Sequence, residues 1–167
     1  MSTTRARIRL QQRLGGFALA LVLIAGTAAT AVAAAAPISA AARQALIDAT
    51  TSEFKALALY QAVVKKFGDE RPFVSWIRSG PERIDENLKP LFTKYGVAMP
   101  TMPDAAKVAA PASFKDACRI AGQLEGERVA MYEKSLKTVK EVDIIAAFTE
   151  MRDAAKRRQN GVREHCD

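Results

Sequence analysis

A single histidine, His165, serves the whole chain of 167 residues, and it is the third residue from the C-terminus. That scarcity removes most imidazole chemistry. A Ser-His-Asp or Cys-His arrangement needs a histidine held inside a fold, not at its end. There is no Cys-x-x-Cys-His, so covalent haem is excluded. No phosphate loop and no dinucleotide fingerprint occurs. Sustained alternation of apolar and polar residues is missing too, so sheet structure is not expected. The one compact basic run, Lys156-Arg157-Arg158, is short and has no aromatics interleaved, which argues against nucleic acid as a partner.

Long apolar runs are also scarce, with one exception at the start. Arg5, Arg7, Arg9 and Arg13 precede an apolar stretch that opens at Phe17–Ile24 and continues to Ala36. Ala31-Val32-Ala33 and Ala34-Ala35-Ala36 are small-residue cleavage patterns. Basic, then apolar, then small is the order of a secretory signal peptide, expected over residues 1–36. An uncleaved anchor is the other reading, since the stretch is about long enough to span a bilayer. Cleavage takes away four arginines and no acid, so the net charge falls from +7 to about +3. Much of the basic character therefore belongs to the leader. The remaining chain is expected to be periplasmic or secreted, with no membrane association after cleavage. An even cysteine pair in an exported protein, Cys118 and Cys166, reads as a disulfide.

What the chain does have is helical periodicity. Leu46, Ala49, Glu53, Ala56, Tyr60, Val63 and Phe67 recur at alternating spacings of three and four, the inward stripe of a helix over about 39–66 ending at Gly68. A second stripe, Phe73, Ile77, Gly80, Ile84, Leu88, Leu91 and Tyr95, predicts a helix over about 72–95. Ser79-Gly80-Pro81-Glu82 has the form of a fresh helix start, so a kink or break is expected at Pro81. Pro90 is expected to bend the segment again. Residues 97–111, with three prolines, form the one long connection. Helices over about 113–140 and 142–166 follow, the last with the stripe Ile145, Phe148, Met151, Ala155, Arg158, Val162, Cys166. The sum is an all-α, antiparallel four-helix bundle over 39–166, read in up-down-up-down order.

Two stripe positions carry charge where apolar residues belong, Glu53 and Arg158. In an antiparallel pair of helices, Cys118 near one start and Cys166 near one end come together. The disulfide closes a loop worth about 3–4 kcal/mol in the chain-entropy treatment. Glu125 lies seven residues from Cys118 and Arg158 eight from Cys166. At 1.5 Å per residue both sit roughly 11 Å from the disulfide. Glu53 and Ile84 are placed in the same layer. A buried charge is costly unless it is paired or binds metal.

The segments Glu53-Phe54-Lys55-Ala56-Leu57-Ala58-Leu59-Tyr60, Phe73 through Val97, and Gly122-Gln123-Leu124-Glu125 with Val129-Ala130-Met131-Tyr132 resemble helices of a bacterial ferritin-like family of exported bundle proteins. The resemblance covers about Leu46 to Cys166. It implies a di-metal site with glutamate on the first and third helices, Glu-x-x-His on the second and a His-bearing motif on the fourth. Glu53 and Glu125 match; Pro81 and Ile84 stand where glutamate and histidine belong, and Arg158 or Gln159 replaces the last histidine. Glu82 and Asp85 are the remaining candidate ligands, one residue out of register.

Three functional readings follow. In the first, the metal site is a remnant, no cofactor is bound, and Arg128 and Arg158 neutralise Glu53 and Glu125 in a buried charge cluster. The protein is then a non-enzymatic envelope component with a structural or protein-partner role. In the second, Glu53, Glu82, Asp85 and Glu125 bind or oxidise iron or manganese. A small ligand in the same cavity is a third. Tyr60, Tyr95 and Tyr132 read as core aromatics, and Met99, Met102 and Met131 as too scattered for copper. His165 with Cys166 would hold a metal only if Cys166 were free.

Overall fold

A computed structural model describes residues 35–166. The expected signal peptide, apart from residues 35 and 36, lies outside them. Helix α1, Ala40–Phe67, starts where Ser39 Oγ accepts from the Ala42 amide at 3.1 Å and ends at Gly68, whose φ of 90° lies outside the helical region. Helix α2 is Phe73–Asn87 and α3 is Lys89–Tyr95, closed by Gly96 in the left-handed conformation. A single 3₁₀ turn, Ala105–Lys107, interrupts the long connection. Helix α4, Phe114–Ser135, is capped by Ser113 Oγ on the Asp116 amide, and α5 is Val142–Cys166. No strand occurs among the described residues.

Two local expectations need correction. The chain does not break at Pro81, which lies inside α2 on its exposed side. There the carbonyl left without a donor can turn to water, so the helix continues. The break falls at Leu88, just before Pro90, which occupies the first turn of α3. Proline costs nothing at that position, because the N–H it lacks would have had no partner. Helix α4, expected to run to about residue 140, ends earlier, at Ser135. Beyond it the chain turns so that Val139 enters the core at 2% exposure.

The helix directions differ from the up-down-up-down order. At one end the Ser39 amide donates to Glu141 Oε1 at 3.0 Å, and Lys94 Nζ and the Tyr95 hydroxyl both reach Asp143 at 2.6 Å. The start of α1, the end of α3 and the start of α5 therefore lie together. At the other end Phe67 packs on Phe114, ring centroids 6.0 Å apart, and Lys66 Nζ donates to the carbonyls of Pro111 and Ala112. The end of α1 thus meets the start of α4. The order is up, down, down, up, and residues 97–111 carry the chain back along the bundle. A helix of 28 residues is about 42 Å long, and that connection, at about 3.3 Å per residue, spans it. Helix α1 adjoins α2 and α4, while α5 adjoins α4 and α2. Every neighbouring pair remains antiparallel.

The interior falls into two apolar clusters. One, toward the start of α1, contains Leu46, Leu88, Phe92, Tyr132, Ile144, Phe148 and Met151. The other contains Tyr60, Val63, Phe73, Ala117, Cys118, Ala121 and Val162. Between them lies the polar layer. The Cys118–Cys166 disulfide, with Cα atoms 5.9 Å apart, clamps α4 to α5 at the second end. Among the described residues no helix is long and apolar enough to cross a membrane.

Candidate functional site: a buried charge cluster

Glu53 of α1, Glu125 and Arg128 of α4, and Arg158 of α5 meet in the middle of the bundle. Their exposures are 5%, 0%, 1% and 6%. Glu125 Oε1 accepts three hydrogen bonds: from the Tyr60 hydroxyl at 2.5 Å, Arg128 Nη1 at 2.7 Å and Arg158 Nε at 2.9 Å. Glu53 Oε1 accepts from the Tyr132 hydroxyl at 2.8 Å and is paired with Arg128 Nη2. Arg158 Nη2 stands 3.6 Å from Glu53 Oε2. Two carboxylates and two guanidiniums cancel, so no net charge is buried. Both arginines bridge both glutamates. A planar guanidinium with several fixed donors suits this better than a lysine.

The helices set this geometry by simple offsets. Tyr60 is seven residues beyond Glu53, and Tyr132 seven beyond Glu125. Because α1 and α4 are antiparallel, each tyrosine reaches across to the other helix's glutamate. Tyr60 belongs to one apolar cluster and Tyr132 to the other, so the two rings close the polar layer from opposite sides. Sequence reasoning placed both in the core and missed their hydroxyls as donors. The signal that would have found them is the repeated seven-residue offset between a stripe glutamate and a stripe tyrosine.

Burial dominates the electrostatics. It pushes the Glu125 carboxyl upward, against the pull of the Arg158 guanidinium and the Tyr60 hydroxyl. Burial, reinforced by the Glu125 carboxylate, holds the Tyr60 phenol well above its ordinary value. Tyr132 is pushed up to about 12, again chiefly by burial. Burial and the neighbouring Arg158 lower Arg128 to about 9, so it still carries its charge at neutral pH.

The residues do not fit a di-metal centre. Glu82 and Asp85 are exposed on α2, and Asp85 Oδ1 pairs with Lys89 Nζ at 3.0 Å; the inward position between them belongs to Ile84. His165 is exposed at the far end of α5, where its Nδ1 lies 3.0 Å from the Gly161 carbonyl. The lone-pair directions of Glu125 Oε1 are taken by three protein donors. Among the described residues no three His, Cys, Asp or Glu side chains converge. Cys166 is bonded to Cys118, which removes it as a partner for His165.

The arrangement defines a class: an all-helical bundle stapled at one end, with a neutral ion cluster at its centre. No family model, curated protein or solved structure matches the chain.

Proposed function

We propose that the protein is a non-enzymatic, structural or partner-binding bundle of the cell envelope, exported by the leader at residues 1–36 to the periplasm or beyond. The observation that carries this reading is the closed cluster. Arginines occupy the space around Glu53 and Glu125 that a reactive centre would need. The disulfide adds support, since such bonds persist in oxidising compartments. Descent from a ferritin-like bundle belongs to the same proposal. Its supports are the glutamates facing each other from α1 and α4 and the single long crossover between α3 and α4, the connection such bundles use.

Metal analysis tests it. Protein refolded separately with iron, manganese and zinc, then desalted, is expected to retain no stoichiometric metal. Retention of one or more equivalents that vanishes in Glu53→Ala, with folding intact by circular dichroism, would replace this reading with that of a metal-binding or metal-oxidising protein.

A further inference from the structure

The charged layer is lopsided. On the α4–α5 side it is filled by Arg128 and Arg158. On the α1–α2 side the residue three beyond Glu53 is Ala56, where α4 has Arg128, and the layer position on α2 is Ile84. Small and apolar groups thus face two long guanidiniums. The result is a small, partly open cavity of about 10 Å³ whose lining includes Glu53, Ala56, Tyr60, Ile84, Arg128 and Arg158. That is about the room one water molecule requires.

The polar atoms at this cavity are unbalanced in a definite direction. Arg158 Nη2 and Arg128 Nε are buried and find no hydrogen-bond acceptor among the described residues. Arg128 Nη2 touches Glu53 Oε1 but is not aligned to donate to it. Among the cluster's acceptors Glu125 Oε2 is also buried without a donor, but Glu125 does not line the cavity, and the carboxylate that does, Glu53, has no orphaned oxygen. Buried donors of this kind almost always have a partner, protein or otherwise. Filling the void with a methyl group would leave them unpaired, whereas a water-sized acceptor would serve them.

We infer that the α1–α2 side of the layer is a binding site for one water-sized hydrogen-bond acceptor, a structural water or a halide ion, held by Arg158 Nη2 and Arg128 against Glu53. The arginines supply donors that suit either species. The occupant completes the cluster in the place where α1 and α2 lack arginines of their own.

Crystals grown in chloride and others grown in bromide test the site. A peak in the cavity at hydrogen-bond distance from Arg158 Nη2 is expected in both. Bromide anomalous signal at the peak assigns a halide, and its absence assigns water; either supports the inference. Well-resolved arginine side chains around a cavity without ordered density overturn it, as does xenon entering under pressure, which marks a dry apolar void. In solution, ¹⁷O relaxation dispersion of wild type and Ala56→Val gives a second readout. If the occupant is water, the valine variant loses one long-lived site. If the bromide crystals show a halide, the variant loses chloride-dependent broadening in ³⁵Cl spectra. An unchanged signal in a variant that folds counts against the site.

Discussion

Glu125 Oε1 is the most heavily used atom in the interior, with donors from α1, α4 and α5 converging on it. Removing one donor and removing the whole cluster should have opposite consequences. Arg158→Leu leaves two buried carboxylates facing one guanidinium, and is expected to destabilise by about 3–5 kcal/mol. Replacing Glu53, Glu125, Arg128 and Arg158 together with leucine or methionine removes every buried charge at once. That variant is expected to match or exceed wild-type stability by about 1–4 kcal/mol. Urea unfolding of both variants provides the comparison; equal losses in both would show that the cluster has no net desolvation cost. The tyrosines give a spectroscopic test. All three in the chain have raised pKa values: Tyr60 and Tyr132 by burial above all, and Tyr95 by burial and then its bond to Asp143. A phenol with a raised folded pKa contributes stability that is whole below about pH 10 and lost as pH climbs through the folded value. Tyrosinate absorbance at pH 10.5 should therefore be well under half the unfolded signal. Tyr132→Phe should lose about 1.5–3 kcal/mol at neutral pH, and should lose less further stability than wild type between pH 10 and 12.

Among the elements, α2 and α3 show where local rules hold and where the fold overrides them. Pro90 begins a helix at a position that suits proline, whereas Pro81 interrupts the hydrogen bonding of α2. Proline inside a helix costs about 3 kcal/mol relative to alanine. Pro81→Ala is accordingly expected to stabilise the protein by about 1–3 kcal/mol, seen as a higher melting temperature with an unchanged helical spectrum. A fall in melting temperature would mean that the ring itself is needed for packing. The start signal Ser79-Gly80-Pro81-Glu82 pointed to a break that is not there. A four-residue pattern reports only the local chain, while the inward positions of Phe73 and Ile84, at 0% and 4% exposure, keep the helix running along the core past Pro81. All six stripe positions of α1 from Leu46 to Val63 are buried, and Thr50, Leu57, Ala58 and Ala62 widen that face beyond the stripe. A long helix with one buried face repeats its signal many times.

For the molecule as a whole, the disulfide and the long connection do different work. Cys118 and Cys166, 48 residues apart, tie the start of α4 to the end of α5. Reduction, or the double change Cys118→Ser with Cys166→Ser, is expected to cost about 3–4 kcal/mol, mostly by restoring entropy to the unfolded chain. Thermal melts with and without reductant measure it, and a loss near zero would place the binding energy of the hairpin in its packing instead. Residues 97–111 decide topology. By running back along the bundle they place α4 parallel to α2 and α3 and bring its start against Phe67.

The sequence by itself determined the helices, their inward faces, the depth of the charged layer and the meeting of the two cysteines. Each of these depends on the helical period or on counting along an antiparallel pair, and both are local. The tertiary structure alone decided that α4 runs down, not up, since a connection of that length fits either order. It alone decided which tyrosine serves which glutamate, and that Glu82 and Asp85 face solvent. Those outcomes depend on which faces of different helices end up opposed, and side-chain reach across a bundle is not written in the spacing of any one helix.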